Sequence, residues 1–227
     1  LTGDAGVGKS RILQEIADEC STRSARVVRV GATQSLAAIP FGAFAGILAH
    51  DLVDGPPLDA LQRALRALIG DESNDAVLIV DDAHLLDDAS AGLVLLAAQS
   101  DVAIIASVRR HEPCPDAIVR LWKDDYAPRI EIAPFDEAAT AAMLGAALDG
   151  AVDSHSQHQI FATTRGNPLF LRELVRHAID DGTMHNSGGV WSWNGPYTDV
   201  PSVRDLIATR LGESSPQVAR LLALENT

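Results

Sequence analysis

Three glycines, a lysine and a serine stand at fixed offsets near the start of the chain, in the stretch GDAGVGKS at residues 3–10. This stretch fits the pattern G-x-x-x-x-G-K-[ST], in which backbone N–H groups surround phosphate oxygens and the following helix adds the partial positive charge of its N-terminus. Lys9 can then reach the β- and γ-phosphates of a nucleotide, and the Ser10 hydroxyl can ligate Mg²⁺. The spacing predicts a site for nucleotide phosphates with Mg²⁺, and an ordinary glycine turn before a helix is the alternative. The residues expected to contact the nucleotide are Gly3, Asp4, Ala5, Gly6, Val7, Gly8, Lys9, Ser10 and Arg11.

Two adjacent carboxylates follow an apolar run further along the chain, in VLIVDDAHLLDD at residues 77–88. A phosphate-binding loop needs an acid near its Mg²⁺ ion, carried on a neighbouring strand, and Asp81 is the natural metal partner. Asp82 is the candidate for polarising the attacking water as a general base. A strand that ends in solvated acids is the alternative for this pair. His84 could touch the same site, or it could be a structural or surface histidine.

Short β-branched runs alternate with helical patterns over the first 133 residues. The runs are too short for helices and apolar enough to be buried strands, so the alternation favours a parallel sheet covered on both faces. The predicted strands are a remnant at residues 1–2 and the runs at residues 27–30, 77–80, 102–106 and 130–132. The predicted helices are at residues 10–20, 41–53, 58–69 and 89–99, the last one capped by Asp87 and Asp88.

This alternation stops near Pro134, which marks a predicted domain boundary between a core at residues 1–133 and a helical region at residues 134–200. Turn-forming NSGG, followed by Val190, Trp191 and Trp193, predicts a β-hairpin near residues 183–194. The two tryptophans alternate along one arm, so they share a face that we expect to pack against the helical region. Contact with a partner is the alternative for this face. Four consecutive helices are predicted beyond Pro134, at residues 135–148, 156–164, 169–180 and 202–211.

The composition is acidic, with a formal net charge of -13 and a sequence pI of about 4.8. No block of lysine and arginine stands out, so we expect no large basic face for nucleic acid within these residues. The longest apolar run is far shorter than the roughly 20 residues that cross a bilayer. We therefore expect a cytoplasmic protein without membrane contact. Because patterned segments are cut at both ends, the chain is expected to be an internal piece of a longer protein.

Five stretches in a fixed order resemble a known class of proteins: GDAGVGKS, VLIVDDAH, ASVRR, GNPLFLREL and VPSVRDLIATRL. They resemble the STAND class of signal-transduction ATPases, and most closely the AAA-like ATPase module of the large ATP-binding LuxR-type transcription regulators of bacteria. The resemblance covers nearly the whole chain. It implies an α/β P-loop NTPase fold with a parallel five-stranded sheet flanked by helices. A helical lid and the start of a winged-helix module at residues 201–227 are expected to follow.

The resemblance also implies roles for residues outside the glycine loop and the acid pair. Arg109, in ASVRR, looks like the arginine sensor that detects the γ-phosphate, and Arg110 is the alternative if the register is one residue off. Either arginine could instead be a surface cation. Pro168, in GNPLFLREL, looks like the lid proline that packs near the nucleotide base. Taken alone, GNP is a helix start with proline in the first turn.

The leading hypothesis is an ATP-dependent switch in which Lys9, Ser10, Asp81 and Arg109 carry the phosphate chemistry. Many active ATPases of this architecture have glutamate at the position of Asp82, so the shorter aspartate implies slow turnover. DNA would be bound only through a domain outside these residues, and the ATP state could favour self-association. The alternatives are a DNA-handling AAA-type ATPase of the origin-recognition or helicase-loader kind, and a non-catalytic scaffold with a structural ATP site.

Overall fold

A computed structural model describes residues 1–23, 25–48, 57–69 and 76–195 of the chain. The chain divides into two compact units. The first comprises Leu1–Asp4 and Gly8–Ala133, and the second comprises Ala5–Val7 and the chain from Pro134 onward. The helix predicted at residues 202–211 and the winged-helix segment predicted at residues 201–227 lie outside the described residues.

The first unit alternates strands and helices, as the sequence predicts. Its strands are β1 (Thr2–Gly3), β2 (Arg26–Gly31), β3 (Ala76–Asp81), β4 (Ala103–Ala106) and β5 (Val108–Arg109). Its helices are α1 (Lys9–Thr22), α2 (Pro57–Ile69), α3 (Asp88–Gln99) and α4 (Asp116–Lys123). The sequence analysis did not predict α4, which is a single short helix of 8 residues.

The strands of this unit are parallel, and they form a sheet of order β2-β3-β4 and a separate pair β1-β5. The parallel arrangement is therefore confirmed, whereas one five-stranded sheet is not. The strand pairing changes at Ser107: β4, which precedes it, pairs with β3, and β5, which follows it, pairs with β1. The strand predicted at residues 130–132 is reduced to an isolated parallel bridge between Thr2 and Glu131, since β1 is only 2 residues long.

The helix predicted at residues 41–53 is wrong over its described part. Phe41 has a φ of 57°, in the left-handed region, and a short 3-10 turn at Gly42–Phe44 follows it. A Cβ atom at Gly42 would lie 2.6 Å from the carbonyl oxygen of Leu36, so the chain folds back closely on the preceding turn. The residues from 49 to 53 lie outside the described part of the chain.

Apolar side chains of β3 alternate between the two faces of the sheet. Leu78 and Val80 belong to the large cluster that α2, α3 and α4 cover, whereas Ile79 packs with Leu13 and Ala17 of α1. Burial of one such side chain contributes about 1.5–3 kcal/mol. Because both faces of β3 are covered, its carboxyl end is held firmly, and Asp81 and Asp82 stand at that end.

Up to residue 195, the last that the structure describes, the second unit contains three helices and a small sheet. The helices are α5 (Glu137–Leu148), α6 (Ser154–Thr164) and α7 (Pro168–Asp180), and the strands are β6 (Ala151–Val152), β7 (Met184–Ser187) and β8 (Val190–Trp193). β7 and β8 form an antiparallel hairpin, and β6, which was not predicted, adds in parallel to β8. Trp193 is buried in the apolar core of this unit, and the indole N–H of Trp191 donates to the Leu148 carbonyl at 3.0 Å.

Among the described residues, no helix combines the length and the apolar character needed to span a membrane.

Candidate functional site

The glycine loop joins β1 to α1 and has the backbone shape of an anion site. Gly6 and Gly8 have φ values of 80° and 100°, which glycine adopts without strain. Gly8 is the N-cap of α1, and no side chain of the described residues caps this helix end. The first-turn N–H groups of a helix have no partner within the helix, and its N-terminus carries a partial positive charge. The loop can therefore bind phosphate oxygens.

Lys9 is 6% exposed and lies against the loop that precedes it. Its Nζ donates to the carbonyl oxygens of Gly3 at 2.9 Å and Asp4 at 2.8 Å. Burial lowers the pKa of Lys9, and the carboxylates of Asp82 and Asp81 act in the opposite direction. The ammonium group therefore lies against the glycine loop and is stabilised by the charge of the two acids.

Asp81 ends β3 and is fixed by a serine of the neighbouring strand segment. Ser107 is 0% exposed, and its hydroxyl donates to Asp81 Oδ1 at 2.5 Å and accepts from the Asp82 N–H at 2.8 Å. The register Val80 opposite Ala106 places Ser107 beside Asp81. Ser107 was not among the site residues predicted from the sequence. Its position directly after the apolar run of β4 is the signal that could have indicated it.

Asp82 presents its two carboxylate oxygens to two different basic side chains. Its φ is 52°, in the left-handed region that aspartate tolerates better than most residues. Oδ2 lies 3.5 Å from Arg109 Nη2, and Oδ1 lies 3.9 Å from His84 Nδ1. Burial lowers the pKa of His84 more than Asp82 raises it, so the imidazole is neutral at pH 7.

The two arginines of ASVRR have different environments. Arg109 contacts Asp82, as an arginine near the phosphate chemistry should. Arg110 forms ion pairs with Asp4, at 3.8 Å, and with Glu131, and its backbone N–H donates to the Gly3 carbonyl at 3.1 Å. Of these two arginines, Arg109 is therefore the one that contacts the acid pair, and its sensor role stays a prediction.

Ser10 and Arg11 occupy exposed positions in the first turn of α1. The Arg11 side chain forms an ion pair with Glu15 one turn further along the helix. The part of Arg11 available to a nucleotide is therefore its backbone at the helix N-terminus. Val7, also among the predicted contacts, has a buried side chain, so it too can offer backbone groups.

The loop residues Ala5–Val7 belong to the second unit, which also contains Asn167. Asn167 contacts this part of the loop. Asn167 is the N-cap of α7, and its Nδ2 donates to the Ala5 carbonyl at 2.9 Å. A Cβ atom at Gly6 would lie 2.7 Å from Asn167 Oδ1, so only glycine fits there. Pro168 follows as the first residue of α7, and its predicted contact with a nucleotide base stays a prediction. Asn167 stands in the quoted GNP stretch, but it was not predicted as a site residue.

The oxygen donors at this site fit Mg²⁺. Mg²⁺ takes few protein ligands and completes its shell with water and phosphate oxygens. A serine hydroxyl at Ser10 and a carboxylate at Asp81 are ligands of the required kind. Over the described ranges, no group of three or more His, Cys, Asp or Glu side chains could hold a metal ion.

A parallel α/β unit in which a strand leads through a glycine loop into a helix, with an acid pair at the end of another strand, has a P-loop NTPase fold. Residues 1–111 match the family model of the AAA domain. This match, which covers just under half of the chain, and the observed fold together support an AAA-like P-loop ATPase module in these residues. No curated protein sequence matches the chain.

Solved structures with a similar fold include an ORC1 protein and a RuvB mutant. The ORC1 protein of Aeropyrum pernix, solved in complex with DNA, has a TM-score of 0.57 and 14% identity, covering 91% of this chain and 58% of that one. A RuvB mutant from Thermotoga maritima has a TM-score of 0.52 and 15% identity, covering 79% of this chain and 53% of that one. At these identities the likeness shows the fold alone. The chain spans little more than half the length of either structure.

Proposed function

We propose that this chain binds ATP with Mg²⁺ at the glycine loop and hydrolyses it slowly, as a nucleotide-dependent switch. The observation that carries the proposal is the arrangement around the acid pair. Ser107 fixes Asp81, Arg109 contacts Asp82, and the pKa of Lys9 responds to both acids. Phosphate-directed and metal-directed groups are thus within electrostatic reach of one another.

Lys9 and the loop would bind the triphosphate. The Lys9 ammonium would exchange the Gly3 and Asp4 carbonyls for β- and γ-phosphate oxygens, while loop N–H groups donate to the phosphates. Ser10 and Asp81 would hold Mg²⁺. When bound, the ion would neutralise charge on the phosphates.

Asp82 and Arg109 would carry the hydrolytic step. Asp82 would orient a water molecule and accept its proton, and Arg109 would stabilise the charge on the γ-phosphate. Their contact at 3.5 Å means that each has a partner before the nucleotide arrives. A γ-phosphate that draws Arg109 away would release one oxygen of Asp82. Because aspartate reaches less far than glutamate, we expect slow turnover.

The finer class is also a proposal: a STAND-type ATPase module of a LuxR-type transcription regulator. Its support is the order of the quoted motifs. VLIVDDAH and ASVRR lie in the first unit, GNPLFLREL lies in the second, and GDAGVGKS is divided between the two. In such a protein the nucleotide state would control DNA binding by a domain outside these 227 residues, and the ATP state would favour self-association.

The experiment that tests this function is single-turnover hydrolysis of radiolabelled ATP by the wild-type chain, compared with Lys9→Ala and Asp82→Asn. We expect Lys9→Ala to lose ATP binding. Asp82→Asn should keep binding and lose hydrolysis by about 100-fold or more, the range typical of general bases. A chain that binds ATP but whose hydrolysis does not depend on Asp82 would be a scaffold with a structural nucleotide.

A second candidate is a DNA-handling AAA-type ATPase. The similarity to the ORC1 fold, which extends over 91% of this chain, favours it. The net charge of -13 disfavours direct DNA binding by these residues, because an acidic protein repels the phosphate backbone. Duplex and single-stranded DNA added to the hydrolysis assay separate the candidates, since stimulation by DNA is expected only of the second.

A further inference from the structure

His84 is a buried polar side chain beside the acid pair, and the proposed steps above do not use it. It lies in the short 3-10 turn Ala83–Leu85 and is 8% exposed. Its Nδ1 is buried and has no hydrogen-bond partner among the described residues, while Asp82 Oδ1 lies 3.9 Å away.

A buried nitrogen without a partner is costly. Leaving such a group unsatisfied costs about 1–3 kcal/mol, and natural proteins keep few of them. An apolar side chain of similar size would fill the same space without this cost. The position of Nδ1 toward the acid therefore indicates a polar role.

The turn that carries His84 is held rigidly. The Ala83 N–H donates to the Ser107 carbonyl at 2.8 Å, and the Leu85 N–H donates to the Asp82 carbonyl at 2.8 Å. These bonds join the turn to the same Ser107 that fixes Asp81. The backbone that carries the imidazole is therefore fixed beside Asp81 and Asp82.

A distance of 3.9 Å is too long for a direct hydrogen bond. A small rotation of the Asp82 carboxylate would shorten it, or one water molecule would bridge it. The other carboxylate oxygen, Oδ2, faces Arg109. If the γ-phosphate draws Arg109 away, a contact at Oδ1 would still orient the carboxylate.

We propose that His84 is a positioning residue for hydrolysis: its Nδ1–H donates to Asp82 Oδ1, directly or through one water, and orients the carboxylate that accepts the proton of the attacking water. This inference rests on the proposed ATPase function. The neutral imidazole needed for it agrees with the burial that lowers the pKa of His84.

Three substitutions separate this role from packing. The amide nitrogen of His84→Asn occupies nearly the position of Nδ1 and can donate to Asp82. The amide of His84→Gln reaches the position of Nε2 instead, and His84→Leu fills the space without any donor. His84→Gln and His84→Leu are thus matched controls for His84→Asn. Thermal unfolding of each variant reports whether the fold is kept.

The first readout is a comparison of hydrolysis with binding. We expect His84→Leu and His84→Gln to lower the single-turnover rate by about 10–100-fold, as loss of an orienting contact typically does. Their dissociation constants for Mg²⁺·ATP should stay within about twofold of the wild type, since His84 contacts no nucleotide group in this mechanism. His84→Asn should recover most of the rate. Equal rates for wild type and His84→Leu would overturn the inference.

The second readout needs no nucleotide. Long-range ¹H–¹⁵N spectra of the imidazole rings, assigned with His84→Gln, report which ring nitrogen carries the proton. We expect the Nδ1–H tautomer in the wild type and a shift toward Nε2–H in Asp82→Ala, because the bond made by a ring nitrogen sets the tautomer. An Nε2–H tautomer in the wild type would overturn the inference, because Nδ1 could then not donate.

The two proposals fail in different ways. A wild-type chain that binds no ATP would overturn the proposed function, and the role of His84 in hydrolysis with it. A wild-type chain that binds and hydrolyses ATP, combined with an unaffected His84→Leu variant or the Nε2–H tautomer, would overturn the inference about His84 alone.

Discussion

Asp87 is the residue whose removal should most clearly weaken the first unit without touching the phosphate site. It is 9% exposed and is the N-cap of α3. Its Oδ1 accepts from the Ser90 N–H at 2.9 Å and from the Phe41 N–H at 3.1 Å, and its Oδ2 accepts from the Ser90 hydroxyl at 2.5 Å. One carboxylate therefore caps a helix and also fixes the left-handed turn at Phe41.

The cost of Asp87→Ala can be estimated from these contacts. Loss of an N-cap costs about 0.5–2 kcal/mol. Each buried donor left without a partner costs a further 1–3 kcal/mol or so, although partial relaxation will recover some of this. We expect a total loss of about 2–4 kcal/mol in the free energy of unfolding. For a chain of this size the melting temperature then falls by roughly 5–15 °C.

Urea and thermal unfolding followed by far-UV circular dichroism would measure this loss. Asp87→Asn is the matched control, because asparagine caps helices as well as aspartate and keeps one oxygen toward both N–H groups. Asp136→Ala is the second control, since Asp136 caps α5 from an exposed position through the Ala139 N–H. If Asp87→Ala lost no more stability than Asp136→Ala, the argument from buried donors would be wrong.

Three further predictions concern single positions. Gly166→Ala should destabilise the second unit by more than about 2 kcal/mol in thermal unfolding, because φ is 70° and a Cβ atom would lie 1.9 Å from the Phe135 carbonyl oxygen. Hydrogen bonds from Arg172 and Arg176 lower the pKa of the buried Glu173 carboxyl. Glu173→Gln should therefore cost about 1–3 kcal/mol at pH 7 in urea unfolding. Ser107→Ala should raise the Mg²⁺ concentration needed for half-maximal hydrolysis about tenfold, because Asp81 loses its orienting donor.

The sign of the pH effect at Glu173 follows from its lowered pKa. A carboxyl with a lower pKa in the folded chain stabilises the fold fully above its unfolded pKa, about 4.3 for glutamate. That stability is lost as the pH falls through the lower, folded pKa. The difference in unfolding free energy between wild type and Glu173→Gln should therefore shrink under acid conditions, and a difference that grows there would contradict the assignment.

The other two predictions have simple contrary outcomes. An unchanged Mg²⁺ requirement would contradict the prediction for Ser107→Ala, and an unchanged melting temperature would contradict the prediction for Gly166→Ala.

The sequence predicted those parts of the fold in which local pattern and packing agree. The helix after the glycine loop and the strand before Asp81 are both present, because their apolar residues have the period that the packed element requires. The N-cap role of Asp87 is also confirmed. Asp88 instead forms the first residue of α3, since one helix end has one N-cap.

The errors arose where long-range contacts decide the structure. Residues 41–48 contain apolar side chains at helical spacing, yet the bond from the Phe41 N–H to Asp87, 46 residues away, holds a left-handed turn there. Ser107 and Asn167 were missed as site residues for the same reason. Their partners Asp81 and Ala5 are distant in sequence, and no local periodicity marks such a pair.

The most direct measurement of ATP binding is thermal unfolding of the chain with and without excess Mg²⁺·ATP, for the wild type and for Lys9→Ala. Ligand at about 100 times its dissociation constant adds roughly 2.7 kcal/mol, which corresponds to about 5–10 °C for a chain of this size. We predict a shift of this order in the wild type and none in Lys9→Ala. Equal shifts in the two proteins, or no shift in the wild type at saturating nucleotide, would contradict ATP binding at the glycine loop.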